Sequence, residues 1–283
     1  MLILRPVLLN LFMKIALYIG KEELKSDGRL LEVENDLREE GCDFYALAEG
    51  EHIQADTDFV ISVGGDGTFL SAAMLVADSG IPVVGLNLGR MGFLSENRSE
   101  GLAEALLKGE YVIEERSLLQ AEISTDQPHV EYPYALNEMA VRRSGAAMLA
   151  VEVTLDGVLL PTYWADGLVV STSSGSTAYS LSVGGPIVMP ESKVLIISPI
   201  APHNLNVRPL VVPDSSEIAL KMYSRDGKFE FSVDNRTFEV GGDTELNIRL
   251  AQFSLKRVRL NRSNFINALT DKLFWGEDVR NIR

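Results

Sequence analysis

The stretch FVISVGGDGT, residues 59–68, decides the fold, because an apolar run meets three glycines and a single carboxylate there. Its Val- and Ile-rich beginning predicts a strand over 59–63, and the composition of residues 68–75 predicts a helix with Thr68 as its N-cap. Such a junction presents unpaired backbone N–H groups at the positive end of a helix dipole, and glycines let a phosphate approach the backbone. The stretch therefore predicts a phosphate-binding turn.

Asp66 is the residue that phosphate binding alone does not require. A carboxylate beside phosphates is unfavourable unless it holds a cation or removes a proton from an attacking hydroxyl, so it indicates phosphoryl transfer to an alcohol. The alternative is a structural turn in which Asp66 caps a helix and the glycines provide positive φ angles. These residues by themselves leave both interpretations open.

Two familiar nucleotide signatures are excluded. No Lys follows the glycines as a Walker A motif requires, and residues 85–92, GLNLGRMG, lack the G-x-G-x-x-G spacing. Any nucleotide site in this chain uses another arrangement.

Composition narrows the class of protein further. With 283 residues and 46% hydrophobic content, the chain can bury one large or two ordinary cores. A formal charge of −14 argues against nucleic-acid and membrane partners. Cys42 is the only cysteine, which excludes an intrachain disulfide and favours a cytoplasmic location, and three dispersed histidines argue against a zinc cluster.

The first twelve residues are apolar but too short to span a bilayer, and no small-residue cleavage site follows them. Met13-Lys14 resembles a second translation start. We expect an upstream-start artefact or an extension rather than a signal peptide, with the first core strand at residues 15–19.

The pattern of predicted secondary structure changes near residue 115. Before it, predicted strands (15–19, 59–63, 82–86) alternate with predicted helices (30–40, 68–77, 101–107), which indicates an α/β domain with a mostly parallel sheet. After it, short alternating runs predict an all-β, sandwich-like domain with strands at 151–155, 169–172, 194–198, 217–223, 228–233, 244–250 and 253–260. Asp156-Gly157 and Asp226-Gly227 are typical hairpin turns.

A capped helix opening at Ser263 stands apart from these strands and has an apolar stripe of Phe265, Leu269 and Leu273. Such a stripe needs a partner surface elsewhere. The predicted domains are therefore 13–115, completed by 262–283, and 116–261.

A second glycine-rich cluster covers residues 164–186 and is dense in hydroxyl groups. Adaptable hydrogen bonding beside an aromatic stacking face suits a base or a ribose, whereas the alternative is a polar turn with a core Tyr. Asn137 and Glu138 add an amide beside a carboxylate, a pair able to hold the vicinal hydroxyls of a ribose.

Together these stretches resemble the NAD kinases over about residues 14–275. The glycine turn is shared with lipid kinases and phosphofructokinases, whereas the segments 136–138 and 166–187, in that order, are typical of NAD kinases. The matching segments are residues 64–68, 87–94, 136–138, 166–187, 202–203 and 208–212.

The resemblance implies transfer of a phosphoryl group from ATP, or polyphosphate, to the 2′-hydroxyl of the adenosine ribose of NAD, giving NADP, with a divalent cation such as Mg²⁺. By motif, Asp66 would be the general base, Gly67 would adjoin the phosphates, and Asn137 and Glu138 would hold ribose hydroxyls. Asp166 would face the nicotinamide end, and the remaining NAD-pocket positions would be Trp164, Thr177, Ala178, Tyr179, Ser180 and Ser182.

The resemblance also implies that the last helix returns to the N-terminal domain and that the protein is a homodimer or homotetramer sharing its active site across subunits. Ser173-Ser174 replaces a common Pro-Thr, and Asp234-Asn235-Arg236 replaces an Asp-Gly-Gln-like segment, so roles there stay open. Preference between NAD and NADH, the phosphoryl donor and regulation by NADPH stay open as well.

Two other functions deserve comparison. A lipid kinase would share the glycine turn, but this chain is acidic and carries the Asn-Glu and Gly-Ser-Thr-Ala-Tyr elements. A catalytically silent NAD-binding sensor would keep the pocket and could dispense with Asp66. Its retention favours an enzyme.

Overall fold

The computed structural model describes residues 13–48, 50–89, 92–125, 129–242, 244–261 and 264–276. The apolar residues 1–12 and the predicted helix start at Ser263 lie outside these ranges. The chain divides into two compact units, the first formed by residues up to 114 and from 256 onward, the second by residues 115–255. Across the described ranges, no helix is long and apolar enough to cross a membrane.

The described residues form seventeen strands and five α-helices. In order they are β1 Lys14–Ile19, α1 Gly28–Glu39, β2 Asp43–Leu47, β3 Phe59–Val63, α2 Asp66–Val76, β4 Val83–Leu86, α3 Leu102–Lys108, β5 Tyr111–Ile123, β6 Tyr134–Ala135, β7 Glu138–Arg143, β8 Leu149–Leu155, β9 Val158–Leu159, β10 Tyr163–Ala165, β11 Gly167–Thr172, α4 Tyr179–Ser182, β12 Val194–Ile200, β13 Leu210–Pro213, β14 Ile218–Tyr223, β15 Lys228–Val233, β16 Arg236–Gly241, β17 Glu245–Leu260 and α5 Phe265–Leu273.

The first unit is built on a parallel sheet in the order β4-β3-β1-β2, which the end of β17 extends beside β4. All five residues of β3 are buried, as expected of a central parallel strand covered on both faces. Helices α1 and α3 pack on one face through Leu30, Leu37 and Leu102. Helix α2 covers the other, where Phe69 lies against Gly85. This confirms the predicted α/β architecture.

The second unit is a two-sheet antiparallel sandwich. One sheet has the order β13-β12-β11-β7-β15-β16, and the other contains β10, β8, β14 and the first part of β17. Inward-facing side chains of both sheets form one core, with Phe229, Phe231 and Val170 fully buried. The predicted all-β, sandwich-like architecture is confirmed.

Helix α2 begins at Asp66, so the prediction that Thr68 caps it is wrong. The N-cap is Gly65, and no side chain caps the helix there. Thr68 instead packs its side chain against the backbone of Gly20 and Gly64, where an added Cβ would lie 2.2 and 2.3 Å from its Oγ1. Of the three glycines in the turn, only Gly64 has a positive φ, at 153°.

The two predicted hairpins have different outcomes. Asp156 and Gly157 both have positive φ and join β8 to β9, as a type I′ turn should. The turn at Asp226-Gly227 joins β14 to β15, which belong to different sheets, so that hairpin prediction is wrong. A turn motif specifies a reversal of the chain but not which sheet receives the next strand.

The predicted strands 244–250 and 253–260 are one strand, β17. In the first part of β17 the even-numbered residues Leu246 and Ile248 are buried. Further along, the odd-numbered residues Ala251 and Leu255 are buried instead. This change of parity, which occurs near the passage from the second unit to the first, reads in the sequence as a break between strands.

The last helix, α5, belongs to the first unit, as the resemblance implied. Asn264 caps it by accepting a 2.9 Å hydrogen bond from the Asn267 backbone. The predicted stripe is wrong at its end, because Leu273 is 37% exposed. Lys272 is the partly buried residue on that turn instead.

Candidate active site

The Asp66 carboxylate is held by a turn, residues 92–95, that follows β4 in the first unit. Its Oδ2 accepts a hydrogen bond from the Phe93 backbone at 2.8 Å, and Oδ1 accepts from Leu94 at 3.0 Å and Ser95 at 2.9 Å. Ser95 closes the arrangement because its hydroxyl donates to the Gly64 carbonyl at 2.7 Å. Asp66 therefore does not serve as a helix cap. It joins the glycine turn to a second turn.

Gly92, the last glycine of the motif at residues 87–94, is required for the contact between this second turn and Asp66. A Cβ at position 92 would lie 1.7 Å from Asp66 Oδ1, so only glycine allows the backbone to approach the carboxylate this closely. Asn87 supports the turn from its start, since its side chain accepts from the Gly89 backbone at 2.8 Å and donates to the Ser95 carbonyl at 3.4 Å. Arg90 and Met91 of the motif lie outside the described residues.

The backbone at the start of α2 is accessible. Gly65 and Gly67 are exposed, and nothing lies within 4 Å of a Cβ added at either position. The first N–H groups of a helix lack partners within it, and no side chain caps α2. The predicted phosphate-binding turn thus has open amides at the positive end of a helix dipole.

In the second unit, a partly buried aspartate holds the Asn137-Glu138 pair. Asp234 lies in the turn between β15 and β16, with φ of 52°, and its carboxylate accepts from the backbones of Leu136 and Asn137 at 2.8 Å and Glu138 at 3.2 Å. Arg236 anchors the preceding segment by donating hydrogen bonds to the carbonyls of Tyr132 and Tyr134. This segment is where the sequence departs from the family pattern, and the anchoring role of Asp234 was missed. The only sequence feature that indicated this role was an Asp directly after an apolar strand and before a polar turn.

Glu138 is 9% exposed, and its Oε2 accepts from the Tyr179 backbone at 3.3 Å. Burial raises the pKa of Glu138 from 4.5 to about 8, with the neighbouring charge of Asp234 adding to the increase and the Tyr179 hydrogen bond opposing it. A carboxyl group with this pKa carries a proton at neutral pH.

The hydroxyl-rich cluster packs directly on the Asn137-Glu138 pair. Residues 167–172 are the buried strand β11, so that part of the cluster is an ordinary strand, and a 3-10 turn at Ser174–Thr177 follows it. Gly175 is essential to the contact, since a Cβ there would lie 2.1 Å from the Asn137 carbonyl oxygen. Thr172 accepts from the Gly175 backbone at 3.1 Å and donates to the Leu136 carbonyl at 2.7 Å.

The predicted pocket residues of this cluster differ in accessibility. Ser182 is exposed, whereas Thr177, Ala178 and Tyr179 are partly exposed. Ser180 is completely buried and lies 3.4 Å from the Ser198 hydroxyl. Its side chain therefore packs within the fold.

Asp166 lies at the opposite end of this sheet from the Asn137-Glu138 pair, whereas Trp164 lies on β10 of the other sheet. Glu138 pairs with Ser171 at one end of β11, whereas Gly167, next to Asp166, pairs with Arg142 at the other. Asp166 is six residue steps along the strand from Thr172, roughly 20 Å. Asp166 forms a 2.7 Å ion pair with Arg143, and Trp164 is 50% exposed. Within one chain, the predicted NAD-site residues thus form two separate groups in this unit.

The described residues contain no group of three His, Cys, Asp or Glu side chains placed to hold a metal ion. Both oxygens of Asp66 already accept backbone hydrogen bonds. The described side chains therefore do not fit a protein-made metal cage.

Comparison with known sequences decides the family. The profile of the ATP-NAD kinase N-terminal domain matches residues 9–111, and that of the ATP-NAD kinase C-terminal domain matches residues 136–260. The chain belongs to the ATP-NAD kinase family. The N-terminal match contains Asp66 and its turn, and the C-terminal match contains the Asn137-Glu138 pair and Asp234, which anchors it.

Individual members of the ATP-NAD kinase family agree with this assignment. An NAD kinase of Bacteroides fragilis is 45% identical over 230 residues, which cover 80% of this chain and 79% of that one. The crystal structure of an NAD kinase from Archaeoglobus fulgidus in complex with ATP has a TM-score of 0.74 at 27% identity and covers 88% of this chain and 95% of that chain. The yeast NADH kinase complexed with NADH shares the fold, with a TM-score of 0.83 at 21% identity over 97% of this chain and 91% of that chain.

Proposed function

We propose that Asp66 is the general base of this enzyme. The chain is an ATP-dependent NAD kinase, which phosphorylates NAD to NADP. The observation that supports the role of Asp66 is its position: a carboxylate fixed by three backbone N–H groups beside the open amides of Gly65 and Gly67. Phosphoryl transfer depends mainly on positioning and electrostatics, which a rigidly held carboxylate supplies.

The hydrogen-bond geometry leaves Asp66 able to receive a proton. A carboxylate offers about four lone-pair positions. Oδ1 accepts two backbone N–H groups and Oδ2 accepts one, so one lone pair of Oδ2 is available among the described contacts. That lone pair would accept the proton of the ribose 2′-hydroxyl as its oxygen attacks the γ-phosphorus of ATP. The bond from that phosphorus to the bridging oxygen then breaks, and ADP leaves.

The acceptor ribose is assigned to the second unit. Asn137 provides an amide and Glu138 a carboxyl group, both held at fixed positions by Asp234. Thr177, Ala178, Tyr179 and Ser182 form the accessible surface next to them, and we assign Ser180 a structural role because it is buried.

The divalent cation is proposed to arrive with the substrate. Mg²⁺ is commonly bound through phosphates with only one or two carboxylates, so a kinase does not need a complete protein cage. The cation would neutralise phosphate charge, and the open amides of α2 would hold the phosphates.

Oligomerisation is proposed to complete the NAD site. Asp166, opposite Arg143, lies five residue steps from Glu138 along β7, roughly 17 Å, and Trp164 is on the other sheet. A symmetric homo-oligomer can place this group of one subunit near the Glu138 cluster of another. We propose a homodimer or homotetramer on this ground, and a cytoplasmic location from the single buried Cys42.

The experiment that tests the function is the Asp66→Asn substitution, assayed as NADP formation from NAD and ATP. We expect a folded protein that binds ATP and has a kcat lowered by about 10² to 10⁴, the usual contribution of a positioned general base. Asp27→Asn is the matched control, since Asp27 does cap a helix, accepting from Arg29 at 3.0 Å, and Asn caps equally well. Near wild-type turnover by folded Asp66→Asn would contradict the assignment.

A further inference from the structure

Helix α5 presents a lysine on the face that packs into the first unit. Ala268 and Leu269 are 6% and 3% exposed, and Phe265 and Lys272 are partly buried. Residues spaced at i, i+3, i+4 and i+7 share one helix face, so Lys272 occupies a position that the periodicity normally reserves for an apolar residue. A long cation in such a place needs a partner.

The partner of Lys272 is the turn that holds Asp66. Its ammonium donates a hydrogen bond to the Gly92 carbonyl and lies 4.5 Å from the centre of the Phe93 ring. The Phe93 ring also packs against Phe265 at 6.0 Å. Burial lowers the pKa of Lys272, while the negative charges of Glu96, Asp66 and Asp271 oppose this decrease and the positive charge of Arg257 adds to it.

One peptide group connects Lys272 to Asp66. The Gly92 carbonyl and the Phe93 N–H belong to the same peptide unit. The carbonyl accepts from the Lys272 ammonium, and the N–H donates to Asp66 Oδ2 at 2.8 Å. A cation at the oxygen end of a peptide polarises it and strengthens the hydrogen bond made by its N–H end.

The other oxygen of the Asp66 carboxylate, Oδ1, is also bound by a peptide group whose carbonyl accepts a hydrogen bond from a cation. Arg257 donates from Nε to the Leu94 carbonyl at 3.0 Å, and the N–H of that peptide, from Ser95, donates to Asp66 Oδ1 at 2.9 Å. Arg257 is also committed to a buried ion pair with Glu96 at 2.7 Å. Lys272 makes no ion pair among the described contacts, which makes it the better residue for a test.

We propose that Lys272 is a positioning residue for phosphoryl transfer, which acts through the Gly92–Phe93 peptide to fix the Asp66 carboxylate in its reactive orientation. The inference rests on the proposed role of Asp66 as general base. It gives α5 a part in catalysis without contact to either substrate. Loss of the charge should therefore affect turnover and leave substrate binding unchanged.

The first test is Lys272→Met, which keeps the side-chain length and the contact with Phe93 but removes the charge. We expect kcat to fall about ten-fold, the scale of one weak charge-assisted hydrogen bond, with the KM for NAD and for ATP unchanged. Lys272→Arg should retain most of kcat. Lys108→Met, an exposed lysine of α3, is the control and should behave as wild type. An unchanged kcat, or an effect confined to KM, would overturn the proposal.

A double-mutant cycle separates positioning from general damage to the fold. If Lys272 acts through Asp66, adding Lys272→Met to Asp66→Asn should change kcat by less than about two-fold. A further ten-fold loss in that background would overturn the proposal. Should Lys272→Met fail to fold, Lys272→Gln keeps a neutral donor to Gly92 and serves in its place, with the same loss of kcat expected.

The same variants distinguish failure of this inference from failure of the proposed function. Full activity of Asp66→Asn would remove the general base and the inference with it. Loss of activity in Asp66→Asn, combined with full activity of Lys272→Met, would overturn only the role of Lys272.

Discussion

Glu138 shows how the protein uses burial to set the charge of a single group. The carboxyl lies next to the Asp234 carboxylate, which is held in place by three backbone N–H groups. Burial is the larger cause that raises the pKa of Glu138 and keeps its carboxyl protonated, and the neighbouring negative charge of Asp234 adds to it. The proton is therefore part of the folded structure, and its loss has a cost in stability.

We predict that Glu138→Gln flattens the pH dependence of stability. The pKa of Glu138 is about 8 in the folded protein and near 4.5 when unfolded, so the folded state binds the extra proton between these values. The wild-type free energy of unfolding should then decrease as pH rises from about 4.5 to about 8, by roughly 3 to 5 kcal/mol from this group. The Gln variant lacks this contribution.

The measurement is denaturant unfolding of both proteins at pH 5 and pH 8. We expect the stability of the variant relative to wild type to increase with pH. Glu217→Gln, at an exposed position of the second unit, serves as the control. A difference between variant and wild type that stays constant over this range would show that Glu138 is ionised in the folded protein.

At the scale of elements, the ends of secondary structures position the chemistry. Asp66 begins α2, Asp234 lies in the turn after β15, and residues 92–95 follow β4. The strand and helix bodies were predictable because their apolar periodicity is local. The turns were predictable as turns, but not in what they contact. Helix α5 shows both cases, since its existence was predicted and its inward face was partly misassigned.

Two leucines of α5 provide a matched test of that face. We predict that Leu269→Ala lowers the free energy of unfolding of the first unit by about 2 to 5 kcal/mol, the cost of emptying a buried leucine site. Leu273→Ala, on the same helix but 37% exposed, should cost less than about 0.5 kcal/mol.

Hydrogen exchange locates the effect of these substitutions. Leu269→Ala should reduce protection of residues 13–114 and spare residues 115–255, because α5 belongs to the first unit. Equal costs for the two substitutions, or protection lost only in the second unit, would refute this packing.

For the whole molecule, the separation of Asp166 from Glu138 predicts complementation between subunits. If sites are shared across subunits, mixing Asp66→Asn with Asp166→Asn protein should produce hybrid dimers with one intact site. After random re-association about a quarter of wild-type sites would be restored.

The assay for complementation is NADP formation after the Asp66→Asn and Asp166→Asn variants are unfolded and refolded together. Each variant refolded alone is the control. Activity of the mixture equal to the mean of the two separate activities would show that each chain completes its own site.

The sequence by itself determined the parts of this protein that depend on local order. Apolar periodicity predicted the α/β and all-β organisation, and the resemblance carried by motifs such as residues 64–68 and 136–138 implied the kinase chemistry and the candidate ribose contacts. Gly64 and Gly175 could be recognised from the sequence as turn residues. Their close contacts, with the Thr68 side chain and the Asn137 backbone respectively, were visible only in the structure.

Only the tertiary structure decided what the charged groups touch. Asp66 meets amides 27 to 29 residues away, Asp234 meets amides 96 to 98 residues away, and Lys272 meets a carbonyl 180 residues away. No local pattern encodes such pairs, because a hydrogen bond depends on where the fold brings two groups and not on the residues beside them. The same reason explains why the partner sheet of β15 and the inward face at Lys272 were visible only in the folded chain.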